Sequence, residues 1–152
     1  MGNRRKAREF AIKVLFHMEF NPGFPKETFK LRGENFGVAK AIQSFAEELV
    51  LGVYENKKNL DDVIRKSSKN WKLERMSRTD RSILRLGAFE ILFRQDIPPK
   101  VSIDEAVELG KKYGTDDSGA FINGILDNIY NLQVKKDNKI NHDRKNKQDL
   151  LK

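Results

Sequence analysis

Residues 111–127 have the sequence KKYGTDDSGAFINGILD, which combines the end of one helix, a turn and the start of the next helix. The two lysines suit a helix C-terminus, where cations are favoured, and Gly114 suits the left-handed position that follows it. The Thr-Asp-Asp segment after the glycine is typical of an N-cap and first turn. Apolar residues then recur at a 3.6-residue period. The stretch therefore predicts a rigid, charged corner between two helices.

Helices are predicted throughout the rest of the chain as well. Apolar residues at helical spacing indicate a first helix from about Arg4 to Phe20. A short helix near Thr28–Leu31 should follow, then a long one from about Phe36 to Tyr54, and a separate one capped by Asn59. The predicted fold is all-α, a compact bundle of six or seven helices.

Two possible capping boxes mark the later helices. Ser77 and Asp80 resemble a capping box with aspartate in place of glutamate, and Ser102 with Glu105 forms a second one after two prolines. Between them, residues 83–93 are apolar on most sides. This helix should be the most buried element of the domain.

Positive charge is concentrated at the two ends of the chain. The net charge is +8, with five basic residues against one acidic in residues 1–13 and seven against three in residues 135–152. Residues 14–134 are balanced, with 18 of each sign. Basic terminal arms of this kind suit a polyanionic partner. We predict one helical domain over residues 1–134 and a basic, disordered tail over residues 135–152, whose composition cannot build a core.

Composition argues against several classes of protein. The chain has no cysteine, so disulfides and thiolate chemistry are excluded. No apolar run reaches the length of a membrane span, and Met1–Met18 is too charged for a signal peptide, which favours a cytoplasmic protein. Only His17 and His142 are present, without a metal-binding or phosphate-binding motif. We therefore predict no catalysis, no cofactor and no metal site.

The first helix carries a second, charged face. Each residue turns about 100° around the helix axis, which places Arg5, Glu9 and Phe16 roughly opposite the core residue Ala7. An aromatic ring aligned with cations suits single-stranded RNA, because cations meet phosphates and the ring can stack on a base. Alternatively, Phe16 and Ile12 form a second buried face. The sequence alone leaves both possibilities open.

Three segments resemble the NusB family. They are VSIDEAVEL at 101–109 with the stretch at 111–127, RRKAREFA at 4–11, and DRSILRLGAFE at 80–90, and the match extends over roughly residues 4–132. The resemblance implies two packed helical sub-bundles. It also implies a transcription antitermination factor that binds the boxA element of ribosomal RNA transcripts. The implied partners are NusE, a small-subunit ribosomal protein, and an antitermination complex with RNA polymerase, with no membrane contact.

With the resemblance added, we predict two sets of site residues. The predicted RNA-binding residues are Arg4, Arg5, Lys6, Arg8, Phe16, Lys111, Lys112, Asp117 and Phe121. A plain core role stays open for Phe121, and Asp117 could cap the helix or restrain RNA affinity. The predicted NusE-binding residues are Glu74, Asp80 and Arg85. Asp80 could instead be only a capping residue, and the other two only solvated charges.

The RNA hypothesis requires a particular juxtaposition. The cationic flank of the first helix must lie beside the turn that precedes the final helix, so that both form one surface. A competing hypothesis is a protein-interaction scaffold that binds NusE without RNA affinity of its own. A weaker one is an amphipathic first helix that lies on a membrane surface.

Overall fold

The computed structural model describes residues 3–20, 39–69 and 71–150, and in these ranges the chain contains helices and no strand. The described ranges contain five α-helices and one 3-10 helix. They are α1 (Asn3–Phe20), α2 (Lys40–Ser67), the 3-10 helix (Leu73–Arg75), α3 (Arg78–Phe93), α4 (Pro99–Tyr113) and α5 (Ser118–Leu150). The all-α prediction is confirmed, while the predicted helix near Thr28–Leu31 lies outside the described residues. None of the helices in the described ranges has the length and apolar character that crossing a membrane requires.

Helix α3 is the centre of the domain, as its apolar sequence predicts. Every residue from Ser82 to Ile91 is buried. The helix packs against α1, α2, α4 and α5. Gly87 permits the close approach of α5, since a Cβ at this position would lie 2.7 Å from Leu126 Cδ1. The position of α3 therefore determines where the other helices can lie.

Helix α1 buries the predicted apolar stripe. Ala7, Ala11 and Val14 have no exposed surface, and Phe10 is 5% exposed. A stripe that is already packed inside the domain is not available to a lipid surface, which argues against the membrane-surface hypothesis.

Helix α2 runs without a break from Lys40 to Ser67, so the prediction of a separate helix capped by Asn59 is wrong. Residues 54–59 contain neither glycine nor proline, and nothing in them stops a helix. The Asn56 side chain donates to the Gly52 carbonyl at 2.8 Å, a bond to the preceding turn of the same helix. Asn59 simply lies on the exposed face of α2.

Helix α4 begins at Pro99, so the predicted Ser102–Glu105 capping box is wrong. Proline suits a first helical turn because its missing N–H would have no partner there. Both residues of the predicted box bind other helices: Ser102 Oγ donates to Glu90 at 3.0 Å, and Glu105 accepts hydrogen bonds from Arg5. The Ser77 cap of α3 is confirmed, because the Asp80 N–H donates to Ser77 Oγ at 3.0 Å.

The turn between α4 and α5 is closed by Ser118. Its Oγ accepts from the Thr115 N–H at 2.9 Å, and the Asp117 carbonyl accepts from the Phe121 N–H at 3.1 Å. Asp117 thus occupies the N-cap position that the sequence suggested. Gly114 has φ −96° and ψ −158°, so the predicted left-handed conformation is wrong. Glycine is needed there because a Cβ would overlap the Ser118 side chain.

Helix α5 extends to Leu150, whereas the sequence predicted disorder from residue 135. Residues 131–150 contain neither glycine nor proline, so the helix that starts at the core meets no breaker. The buried core nevertheless ends at Ile129, and the described side chains of residues 135–147 are exposed. This part of α5 therefore adds no packing to the domain.

We propose that residues 1–134 fold without the rest of α5. A variant that ends at residue 134 should keep its free energy of unfolding to within about 1 kcal/mol, because the described side chains that it loses are all exposed. Urea unfolding followed by circular dichroism measures this. A loss of several kcal/mol would contradict the boundary at residue 134.

Candidate nucleic-acid interface

Long side chains bridge one side of α1 to the side of α4 that carries Glu105, Lys112 and Tyr113. Lys112 Nζ on α4 donates to the Glu9 carboxylate on α1 at 2.7 Å. Arg5 donates to both oxygens of Glu105, from Nε at 3.0 Å and from Nη2 at 2.8 Å. We call this surface the cationic strip; its members are Arg5, Glu9, Lys13 and Phe16 on α1 and Glu105, Lys111, Lys112 and Tyr113 on α4. The juxtaposition that the RNA hypothesis requires is present.

Pairing within the strip favours the charged forms of Glu105 and Lys112. The hydrogen bond from Arg5 is the main cause that lowers the pKa of Glu105, and the Arg5 charge lowers it further. The hydrogen bond to Glu9 is the main cause that raises the pKa of Lys112. Lys111 lies beside them and pairs with Glu108 at 3.5 Å. At neutral pH the strip therefore presents alternating positive and negative charges.

Phe16 extends the strip toward the start of α3. Its side chain is 37% exposed, and its ring meets Phe20 edge to face with 5.3 Å between centroids. Together with Lys13, Tyr113 and Thr79 it lines an open groove. Ile12 is only 4% exposed. The alternative that Ile12 and Phe16 form a second buried face is thus confirmed for Ile12 only, because the Phe16 ring is partly exposed to solvent.

Arg8 is not part of this surface. Its guanidinium makes three hydrogen bonds of 2.7–3.2 Å to the Glu90 carboxylate, and the two side chains are only 4% and 1% exposed. Ser102 donates to the same carboxylate. The burial argues against the prediction that Arg8 binds RNA, because its guanidinium is enclosed between α1, α3 and α4 and is not open to a phosphate.

Arg4 and Lys6 lie at the N-terminal end of α1. Arg4 is exposed and faces away from the strip: it pairs with Asp96 at 3.5 Å, and its guanidinium carbon lies 4.7 Å from the centroid of the Phe45 ring on α2. Lys6 is exposed. These two residues can contribute positive charge near the strip but do not line its grooves.

A second cleft lies at the start of α5. Trp71 is 56% exposed, and its ring meets the half-buried Phe121 edge to face at 5.8 Å. Asp80 and Asp117 line the same cleft. Because Asp80 follows Thr79, which lines the Phe16 groove, the two clefts adjoin at the start of α3. Phe121 is accordingly neither a plain core residue nor a fully exposed one.

Sequence reasoning missed Trp71 as a site residue. It is the one tryptophan of the chain, and it stands in a polar segment with lysine at 69 and 72. A large ring that is placed among polar residues was the available signal. The sequence did not predict Glu9 and Glu105 as members of the strip, because Lys112 and Arg5, with which they pair, lie about a hundred residues away in the chain.

The three predicted protein-binding residues, of which Glu74 and Asp80 lie near the second cleft, differ in their surroundings. Glu74 is exposed and accepts from Arg65 at 3.0 Å. Asp80 has a buried Oδ1 that finds no hydrogen-bond partner among the described residues.

Arg85 is buried, so the alternative that it is a solvated charge is wrong. It donates to Asp61 at 2.7 and 3.2 Å and to Glu19 at 2.6 Å. Burial lowers the pKa of Arg85, but these hydrogen bonds and the two carboxylate charges together outweigh it and raise the pKa. Arg85 ties α3 to α1 and α2.

Comparison with known proteins agrees with this architecture. The model of the NusB family matches residues 5–131. A transcription antitermination protein NusB from Desulforapulum autotrophicum is 47% identical over 131 residues, which cover 85% of this chain and 92% of the relative. The NusB structure from T. maritima is 39% identical, with a TM-score of 0.78, and the match covers 84% of this chain and 90% of that one. This chain belongs to the NusB family.

A further solved structure contains a complex. It is a crystal structure of the antitermination factors NusB and NusE with double-stranded RNA, and the matching chain is 30% identical. The TM-score is 0.79, and the match covers 86% of this chain and 97% of that chain.

The buried position of Arg8 yields a test of its role. Replacing Arg8 with alanine should destabilise the domain by about 3–5 kcal/mol, because the Glu90 carboxylate remains buried without its counter-charge. The exposed Arg4–Asp96 pair provides the control, since Arg4→Ala should cost less than about 1 kcal/mol. Urea unfolding of both variants gives the comparison. Equal and small effects would show that Arg8 does not hold α1 in place.

Proposed function

We propose that this protein is a transcription antitermination factor that binds boxA-type single-stranded RNA of ribosomal RNA transcripts together with NusE. The observation that carries the proposal is the cationic strip, in which Arg5, Lys111 and Lys112 lie on one surface with the half-exposed ring of Phe16. The relatives support it, because they are antitermination proteins and one solved relative is in a complex with NusE and double-stranded RNA.

The strip and the adjoining cleft suit an unpaired strand. Cations at the edge of a groove can track phosphates, and rings with an open face or edge can stack on bases that no second strand holds. Phe16 and Trp71 offer such rings on either side of Thr79 and Asp80. A single strand could therefore pass from the C-terminus of α4 to the start of α5.

The acidic residues around the second cleft suit the protein partner. We propose that Glu74 and Asp80 contact NusE, and that the buried Arg85 acts indirectly by holding α3. A partner that docks beside the RNA converts two weak contacts into one stronger complex, since the second contact forms at high effective concentration. Asp117, on the same cleft, would then lie where RNA and partner meet.

We propose that the protein acts by binding and not by catalysis, and that it works in the cytoplasm, where transcription takes place. In support, the chain has no cysteine, and the described residues hold no cluster of three metal-ligating side chains.

A titration with and without NusE tests the function. The protein should bind a boxA RNA more tightly than a scrambled RNA of equal length, and added NusE should increase that preference. Fluorescence anisotropy at two salt concentrations measures both. If NusE binds while neither RNA does, even in the presence of NusE, the scaffold hypothesis is correct instead.

Removing the ring of Phe16 tests its role. Phe16→Ala should weaken boxA binding by about 1–3 kcal/mol if the ring stacks on a base. Phe16→Tyr keeps the ring and should bind nearly as well. Phe93→Ala is the matched control, because Phe93 is 48% exposed at the opposite end of α3. Similar losses in Phe16→Ala and Phe93→Ala would rule out specific stacking.

A further inference from the structure

The main cations of the strip are already paired with carboxylates. Arg5 and Lys112, which the proposed function assigns to phosphates, each have a carboxylate within 3.0 Å. Lys111 has one at 3.5 Å. A surface that should attract RNA is thus largely neutralised by the acidic side chains of the chain itself.

The carboxylates lie deeper than the cations they pair with. The side chain of Lys112 is 58% exposed and that of Glu9 is 25% exposed; for Arg5 and Glu105 the values are 42% and 17%. A phosphate that approaches from solvent therefore meets the cation first and has a fixed negative charge behind it. The carboxylate weakens the attraction and keeps the cation in one position.

We infer that Glu9 and Glu105 determine the RNA specificity of the strip, an inference that rests on the proposed function. A cation that already pairs with a carboxylate neutralises less of the phosphate charge, so the RNA releases fewer of its condensed counterions and the cation contributes less to binding of RNA in general. An RNA whose bases also find Phe16 and Trp71 gains contacts that do not depend on this charge. Discrimination between RNAs then increases, because the carboxylates weaken the binding of an RNA that contacts only the cations more than the binding of an RNA that also contacts the rings.

The two pairs act at separate points of one strand. Arg5 lies one turn of α1 before Glu9, and Lys112 is two turns of α4 beyond Glu105. The fork of Arg5 on Glu105 fixes the plane of the guanidinium, whereas Lys112 is held as a point charge. An RNA whose phosphates are spaced to meet both cations also places its bases at the rings. An RNA with another phosphate spacing meets the carboxylates instead.

The test is to remove each carboxylate charge without changing the side-chain size. Glu9→Gln and Glu105→Gln should each bind scrambled RNA about fivefold more tightly at 0.1 M salt than the wild type does, because each frees about one phosphate contact with a log–log salt slope of about 0.7. Binding of boxA RNA should increase less, so the ratio of the two affinities should fall. Fluorescence anisotropy over a salt series, without NusE, gives affinities and slopes.

Asp62→Asn is the matched control. Asp62 is an exposed carboxylate on α2 that pairs with Arg65 at 3.4 Å, and its removal changes the net charge by the same amount outside the strip. This variant should keep the wild-type ratio of affinities. Thermal unfolding of all three variants identifies any loss of folding, and the two glutamine variants test the inference independently.

The possible outcomes separate the two proposals. If the wild type binds neither RNA without NusE, this inference fails; the proposed function fails only if neither RNA binds when NusE is present as well. If the wild type discriminates and the glutamine variants discriminate equally well, or change only as Asp62→Asn does, the inference alone is overturned. If both variants lose boxA binding more than scrambled binding, the carboxylates orient the cations without neutralising them, and the inference is likewise overturned.

Discussion

The buried pair between Arg8 and Glu90 is the constraint on which the surface of this protein depends. Both side chains are removed from water, a change that is unfavourable unless every charge is matched. Rotation of α1 about its axis would separate them. The pair therefore fixes which residues of α1 face α3 and which face α4. Glu9 and Phe16 reach the cationic strip because Arg8, on the neighbouring flank, is held inside.

Apolar periodicity predicted the fold well, because burial acts on whole helix faces. The stripe of α1 and the nearly uniform burial of α3 followed from residue types alone. The predicted break between Tyr54 and Asn59 failed because a polar stretch on an exposed helix face resembles a loop in sequence. The helix there continues since neither glycine nor proline interrupts it.

The site was less predictable, because charged residues do not reveal their partners. The chain presents five basic residues near its start, and the sequence gives no means of separating Arg8 from Arg5. One is buried against Glu90 and the other is exposed on Glu105, each about 80 to 100 residues away. The same limit explains the misread capping box: Ser102 and Glu105 have the right spacing for a cap, but both bind other helices.

The net charge of the chain consequently overstates the charge of its candidate interface. All of the excess positive charge lies in the two terminal segments, while the strip between α1 and α4 pairs each main cation with a carboxylate. An interface of this kind gains little from general attraction to phosphates. Its affinity must come from rings, from spacing, and from a second molecule docked nearby. The cleft of Trp71 and Phe121, which adjoins the Phe16 groove and carries Asp80, is the surface that we propose for such a molecule, next to the proposed path of the strand.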